Sequence, residues 1–298
     1  MIVRPKPSIW DIVFALRGSI LPKIASQVAA MALVSVLAVF LVQWHPAVFA
    51  QLGATPFTLV GIALSIFMSF RNSACYDRWW EARKLWGQLI IECRSLARQT
   101  APLDPGPREP ILLGLCGFAD GLAARLRDRD EAARIEAWRC QRKPLETPNP
   151  TDAMLREIGT HCFRLLSDGL ISDIRYAMLE ERLCSLSAVL AGCERIKNTP
   201  IPFAYTLLLH RTAYMFCILL PFALAGTLGW WTPLLAVIVC YTFFGLDALG
   251  DELADPFGHE MNDLPLDALV RTIEREMLSA LGRHDLPPSL APVHHLLT

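Results

Sequence analysis

Residues 56–87 decide the fold, and they read PFTLVGIALSIFMSFRNSACYDRWWEARKLWG. The first half of this stretch, up to Phe70, contains no charged residue, whereas the second half mixes charged and aromatic residues. No proline separates the two halves, so the pattern predicts one long helix. This helix would begin in an apolar environment and continue into water.

Two charge-free intervals indicate a membrane protein. No Asp, Glu, Lys or Arg occurs between Lys23 and Arg71, or between Arg211 and Asp247. Each interval is too long for one crossing of about 20 residues and fits a hairpin of two. The predicted crossings are residues 24–42, 56–70, 213–228 and 234–246, with tryptophan and proline at both breaks. The alternative is a buried hairpin in a soluble core, but such cores rarely need two charge-free runs of this length.

The composition supports the membrane assignment. The chain has 298 residues, of which 53% are hydrophobic and 19% are charged, and its net charge is −1. An ordinary soluble domain is about 25% charged, and the mean hydropathy here is +0.35. These values exclude a disordered chain and a basic nucleic-acid binder, so no nucleic-acid partner is expected.

The basic residues set the expected orientation. The two short breaks carry no Lys or Arg. Basic residues lie instead before the first crossing and after the second: Arg4, Lys6, Arg17, Lys23, Arg71, Arg78, Arg83 and Lys84. The positive-inside rule then places both termini and the middle of the chain in the cytoplasm.

The expected organisation has four parts. Residues 1–70 hold an N-terminal segment and the first hairpin, 71–203 a cytosolic helical region, 204–250 the second hairpin, and 251–298 a cytosolic turn, helix and tail. Proline-rich breaks at 101–110 and 143–152 interrupt the cytosolic region. Helices are predicted at about 71–100, 111–142, 153–167, 173–198 and 264–281, with Thr151 or Asp152 as an N-cap.

No pattern typical of an enzyme or a metal site is present. The nine cysteines are scattered without a CxxC pair, which is typical of reduced core cysteines. Nucleotide fingerprints, HExxH and EF-hand spacing are absent. We therefore expect no enzymatic activity, no cofactor and no bound metal.

The predicted second crossing carries an apolar stripe. Ile62, Ile66 and Phe70 are spaced by four residues and share one helix face. In a single chain this is a packing stripe. Repeated around a symmetry axis, it becomes rings of bulky side chains that constrict a pore and gate ions by dewetting. Arg71, Asn72 and Ser73 follow, as a pore widening into water requires.

An acidic group follows the last predicted crossing. Asp247, Asp251, Asp255 and Asp263 are candidates for a cation-attracting or calcium-like cluster. With His259 the same carboxylates are compatible with acid–base catalysis. A plain solvated surface is the simplest interpretation.

Several motifs together resemble the bestrophin family, in particular its bacterial members. These are RWW at 78–80, IPFAYT at 201–206 and DPFG at 255–258. The bacterial features are EARKLWG at 81–87, AGCERI at 191–196 and NDLPLD at 262–267. The resemblance runs from residue 1 to about 282.

The resemblance implies an all-α membrane protein of the bacterial inner membrane. Four transmembrane helices in two hairpins and a cytosolic helical bundle would assemble as a homopentamer around a central pore. Ile62, Ile66 and Phe70 would form the pore neck, Ile174 a second, cytosolic constriction, and Asn72 and Ser73 pore-proximal polar positions.

The resemblance also suggests the function. Bacterial relatives are regarded as cation channels, so passive conduction of small monovalent cations such as sodium is expected. Animal relatives are calcium-activated chloride channels whose necks carry more aromatic residues, and aliphatic Ile62 and Ile66 lack the electropositive ring edges that favour an anion. The alternatives are a chloride channel of the same architecture, a membrane-anchored enzyme with an acidic site, and a non-conducting adaptor.

Overall fold

Long apolar runs produce long helices in this chain. The computed structural model describes residues 1–3, 15–16, 18–49, 53–139 and 147–298. Within these ranges the regular secondary structure consists of helices, and two isolated β-bridges occur in addition. The basic residues Arg4, Lys6 and Arg17, and residues 143–146 of the second predicted break, lie outside the described ranges.

The helices occur in the following order. They are α1 (Leu21–Trp44), α2 (Pro46–Phe49), α3 (Ala54–Gln99), α4 (Pro105–Leu126), α5 (Glu131–Glu136), α6 (Pro150–Ser167), α7 (Asp173–Asn198), α8 (Phe203–Leu228), α9 (Thr232–Ala254) and α10 (Leu266–Ala280). A single 3₁₀ turn, Gly229–Trp231, joins α8 to α9.

The chain divides into two compact units. The first, called the apolar unit here, comprises Pro5–Trp79 and Pro200–Asp255. The second, called the polar unit, comprises Met1–Arg4, Trp80–Thr199 and Pro256–Thr298. Helix α3 is continuous over 46 residues. Its first part, up to Trp79, belongs to the apolar unit, and the rest belongs to the polar unit. The predicted long helix is confirmed.

The apolar unit is built from α1, α8, α9 and the first part of α3. α1 packs against both α8 and α9, and α8 packs against α9. Their shared core includes Ile24, Leu64, Met68, Phe216 and Phe244. Among the described residues, three helical stretches are long and apolar enough to cross a membrane: Leu21–Trp44, Ala54–Gln99 and Phe203–Ala254.

The polar unit is centred on α4. This helix is buried over most of its length, from Ile111 to Leu126, because α5, α6 and α10 pack around it. The amphipathic α6 and α10 bury their apolar sides, with Ile158 and Ile273 fully buried. The eight described cysteines are free, and burial raises the pKa of the Cys116, Cys162 and Cys193 thiols to about 12.

The structure corrects two predicted boundaries around α4. The helix begins at Pro105, inside the predicted break 101–110, because proline is tolerated in a first turn where its missing N–H has no partner to lose. The predicted helix 111–142 is also wrong, since the chain turns after Leu126 and resumes as α5. Asp128 adopts a positive φ of 53° at this turn, and the Asp130 side chain caps α5 by accepting the Ala133 N–H.

The N-cap of α6 is also different from the prediction. Asn149, rather than Thr151 or Asp152, occupies the position, and its side chain accepts the Asp152 N–H at 3.0 Å. Pro150 then takes the first helical position, where its fixed φ suits the helix. Helix α7 runs over 173–198 as predicted, and Gly169, with φ of 71°, forms the break before it.

Candidate functional site

Helix α3 has two opposite faces within the apolar unit. Leu64, Met68, Arg71 and Cys75 are buried and follow one another at intervals of four, three and four residues. At about 100° per residue, the stripe of Ile62, Ile66 and Phe70 lies about 170° away from them. We call this stripe the neck face. Its side chains are 55%, 49% and 63% exposed, although all three are large and apolar.

The two polar residues predicted after the neck point in different directions. Ser73 is exposed and continues the neck face, being three residues beyond Phe70. Asn72 is half-buried, and its amide group donates to the Leu246 carbonyl oxygen on α9 at 3.1 Å. The structure therefore places Ser73, but not Asn72, in register with the neck face.

Arg71, which the sequence groups with Asn72 and Ser73 beyond the neck residues, is buried within the apolar unit. It is 2% exposed and belongs to the buried stripe of α3. Its Nη1 lies 2.7 Å from the Oδ1 of Asp247, and its Nη2 pairs with the Oδ1 of Asp251. Two carboxylates one helical turn apart on α9 therefore neutralise this buried guanidinium group.

His210 completes a charge network, defined here as Arg71, His210, Asp247 and Asp251. The Nδ1 of His210, on α8, contacts the second oxygen of Asp247, and its Nε2 lies 3.8 Å from Asp251. The network thus ties α3, α8 and α9 together directly beside Phe70. His210 lies three residues before the third predicted crossing, a position that by itself indicates only anchoring at the membrane interface. The missed signal was that Arg71 shares the helical register of Leu64 and Met68.

The lack of a side chain at Gly250 leaves room for the charge network. A Cβ atom at this position would lie 2.5 Å from the Oδ1 of Asn72 and 3.2 Å from the Nη1 of Arg71. The first distance is shorter than a van der Waals contact allows. A glycine here lets α9 approach α3 closely enough for both carboxylates to reach Arg71.

The structure places the four predicted acidic residues in different surroundings. The structure brings Asp247 and Asp251 together, and both carboxylates form ion pairs with Arg71. Asp255 follows α9 and is exposed, whereas Asp263 belongs to the polar unit and is buried. One oxygen of Asp263 accepts the Glu260 N–H at 2.7 Å. Among the residues that the structure describes, no group of three or more His, Cys, Asp or Glu side chains is arranged to hold a metal ion.

Ile174, the predicted cytosolic constriction, lies in the first turn of α7. It is 76% exposed. The preceding Ser172 is the N-cap, and its hydroxyl oxygen accepts the Arg175 N–H at 3.4 Å. The cap fixes the start of the helix and leaves a large apolar side chain in solvent within the polar unit.

An apolar groove lies beside the neck face in the apolar unit. It has a volume of about 590 Å³. Its wall includes Gly61, Ile66, Phe216, Leu220 and Val239.

Long apolar helices, an exposed apolar face on one of them and a buried charge network define a helical membrane protein. The chain belongs to the bacterial and fungal bestrophin family, whose model matches residues 1–279. The resemblance inferred from the sequence motifs is thereby confirmed.

Named relatives cover almost the whole chain. A voltage-dependent anion channel-forming protein of Mesorhizobium japonicum is 46% identical over 296 residues, which is 98% of this chain and 95% of the relative. The Escherichia coli K12 protein YneE, with the same description, is 42% identical over 301 residues and 99% of both chains. These names and the family indicate a channel rather than an enzyme.

A solved structure shares the fold. The crystal structure of a bacterial bestrophin homolog from Klebsiella pneumoniae has a TM-score of 0.83 and 41% sequence identity. The match covers 88% of this chain and 99% of that chain.

Proposed function

We propose that this chain forms a homopentameric ion channel in the bacterial inner membrane, with small ions passing through a central pore. The observation that carries the proposal is the neck face of α3. The side chains of Ile62, Ile66 and Phe70 are large and apolar, and about half or more of each is exposed. They lie opposite the buried stripe of α3, which packs against the rest of the apolar unit. Lipid or another protein surface would cover such a face, and copies of it around an axis would form rings of Ile62, Ile66 and Phe70.

The groove beside the neck face supports assembly of several copies. It is apolar, and its wall includes Ile62 and Ile66 of the neck face together with residues of α8 and α9. A neighbouring copy would bury part of this surface, and close van der Waals packing between the helices would stabilise the assembly. Native mass spectrometry of the purified protein tests the stoichiometry, and a monomer or dimer would contradict a ring of five.

We propose four crossings. The apolar stretch Phe203–Ala254 has 52 residues, which corresponds to about 78 Å of helix and more than twice the apolar thickness of a membrane. The turn Gly229–Trp231 and the packing of α8 on α9 favour a hairpin here. Both termini and residues 71–203 would then be cytoplasmic. Labelling single cysteines from either side of spheroplasts tests this topology.

We propose that the permeant ion is an anion such as chloride. Cation conduction, expected from the sequence, finds no support in the names of the relatives, which describe anion channels. Sodium remains the second candidate. Two of the three proposed neck residues are aliphatic, and the adjacent Arg71 is buried and paired with Asp247, so it does not present a positive charge to an anion at the neck.

The reversal potential separates the two ions. Purified protein in a planar bilayer would be measured under a tenfold sodium chloride gradient. A value near the chloride Nernst potential supports the proposed anion channel, and a value near the sodium potential supports the second candidate. The absence of current from intact, oriented protein would contradict both and favour a non-conducting adaptor.

The neck assignment has its own test. Ile66→Ala widens the ring and makes it less apolar, so it should wet more readily and raise the single-channel conductance. Leu37→Ala is the matched control, since Leu37 is 55% exposed on α1 and away from the neck face. Equal conductance of Ile66→Ala and the wild type would remove Ile66 from the pore.

A further inference from the structure

The neck face of α3 continues beyond Phe70 to a carboxylate. Ser73 and Asp77 follow at intervals of three and four residues, so they keep the register set by Ile62, Ile66 and Phe70. At about 100° per residue, Asp77 lies within the arc of about 80° that the three apolar residues span. It is about 10 Å further along the helix than Phe70. All five residues belong to the apolar unit.

Asp77 is exposed and carries the first charge on this face. Residues 54–70 contain no charged side chain. Arg71 follows, but it is buried on the opposite face and paired with Asp247 and Asp251. Arg78 is directed to α9, where its Nε donates to the Ala254 carbonyl oxygen at 2.6 Å.

No basic side chain in the described part of the chain neutralises the carboxylate of Asp77. Among the residues that the structure describes, it forms no ion pair. The next charged residue in the same helical register is Lys84, a further seven positions along the sequence. An ion leaving the neck would therefore meet the negative charge of Asp77 first.

We infer that Asp77 is a selectivity-determining residue, which rests on the proposed function. Around a pore axis, its copies form a ring of carboxylates at the inner end of the neck. Such a ring raises the local concentration of cations and lowers that of anions. The ring acts where the apolar rings end, because the neck itself carries no charge.

The direction of the effect is the same for either permeant ion. In a cation channel, the ring of Asp77 would supply the preference. In an anion channel, it would oppose the preference and reduce it. Removing the charge should in both cases lower the sodium-to-chloride permeability ratio, by about threefold or more for charges this close to the permeation path.

The test compares reversal potentials of wild type, Asp77→Asn, Asp77→Glu and Asp255→Asn in planar bilayers under a tenfold sodium chloride gradient. We expect Asp77→Asn to shift the value toward the chloride potential, while Asp77→Glu stays near the wild type. Asp255→Asn, which removes another exposed carboxylate of the apolar unit, should leave it unchanged. Unchanged thermal stability and elution volume show that each variant is folded.

The outcomes separate the two proposals. Wild-type current with no shift in Asp77→Asn overturns the role of Asp77 and leaves the channel intact. An equal shift in Asp255→Asn also overturns it, since the effect would then come from general surface charge. No current from the intact wild type removes the proposed function and this inference with it.

Discussion

Replacing Arg71 with methionine tests whether the charge network holds α3 against α8 and α9. Arg71 and Asp247 are 2% and 5% exposed. Methionine fills much of the same volume but leaves Asp247 buried with His210 as its remaining partner. Removing one member of a buried pair costs about 3–5 kcal/mol because the other charge stays desolvated. We expect the lower end of this range, since His210 offers partial compensation.

Thermal unfolding followed by tryptophan fluorescence measures the effect. For a chain of 298 residues, an unfolding entropy of about 2.1 cal/mol/K per residue means that each kcal/mol lowers Tm by roughly 1.6 °C. Arg71→Met should therefore lower Tm by about 5 °C or more. Arg94→Met is the matched control on the same helix. Arg94 pairs with Glu276 at 2.6 Å, but its side chain is 58% exposed, and an exposed pair contributes at most about 1 kcal/mol.

A double variant distinguishes charge from packing. Arg71→Met with Asp247→Leu removes both members of the closest pair and should recover most of the lost Tm, because no unpaired carboxylate is left at that position. If Arg71→Met lowers Tm no more than Arg94→Met, the network does not stabilise the apolar unit. If the double variant is as unstable as the single one, the loss comes from packing rather than charge.

Two further predictions concern individual residues. Gly250→Ala should lower Tm, at a cost of about 1–3 kcal/mol, because its Cβ would meet Asn72 Oδ1 at 2.5 Å. Gly226→Ala, with nothing within 4 Å of its Cβ, should be neutral or stabilising, and equal Tm values for the two variants would disprove this close approach. Burial lowers the pKa of His161 below its ordinary value of 6.5, so the unfolded chain takes up a proton that the native state resists. Stability should therefore fall as the pH drops below about 6.5, and His161→Gln should flatten a plot of Tm against pH between 7 and 5. If the Tm of His161→Gln changes with pH as steeply as that of the wild type, His161 does not cause the pH dependence.

Local signals predicted most of the helices. The apolar register and the lack of proline predicted the long α3, and the helix predicted over 173–198 matches α7. These features depend on neighbouring residues, whose spacing the sequence displays directly.

The errors arose where distant contacts decide the structure. The turn between α4 and α5 contains neither glycine nor proline, yet Arg127 ends α4 and reaches Asp267 at 2.7 Å, 140 positions away. Thr151 had the right chemistry for an N-cap, but its hydroxyl donates to Glu131 at 2.9 Å instead. The local sequence around Arg127 and Thr151 does not indicate these partners, Asp267 and Glu131.

The same distinction separates the two sides of α3. Periodicity predicted the neck face, because Ile62, Ile66 and Phe70 lie on one turn after another of a single helix. The charge network could not be predicted in this way, since Arg71 meets Asp247 and Asp251 across 176 and 180 positions. An isolated arginine in an apolar register does indicate a buried partner, and this signal was available in the sequence.

In the proposed pore, the ion preference would depend on charge beyond the neck rather than on the neck itself. Apolar rings of Ile62 and Ile66 would impose a dewetting barrier on ions of either sign. A full charge in partly aqueous surroundings acts more strongly and over a Debye length of about 8 Å. Arg71 cannot supply it, because two carboxylates neutralise that residue on the buried face. The exposed Asp77 can, and relatives with similar apolar necks need not share one selectivity if they differ at this position.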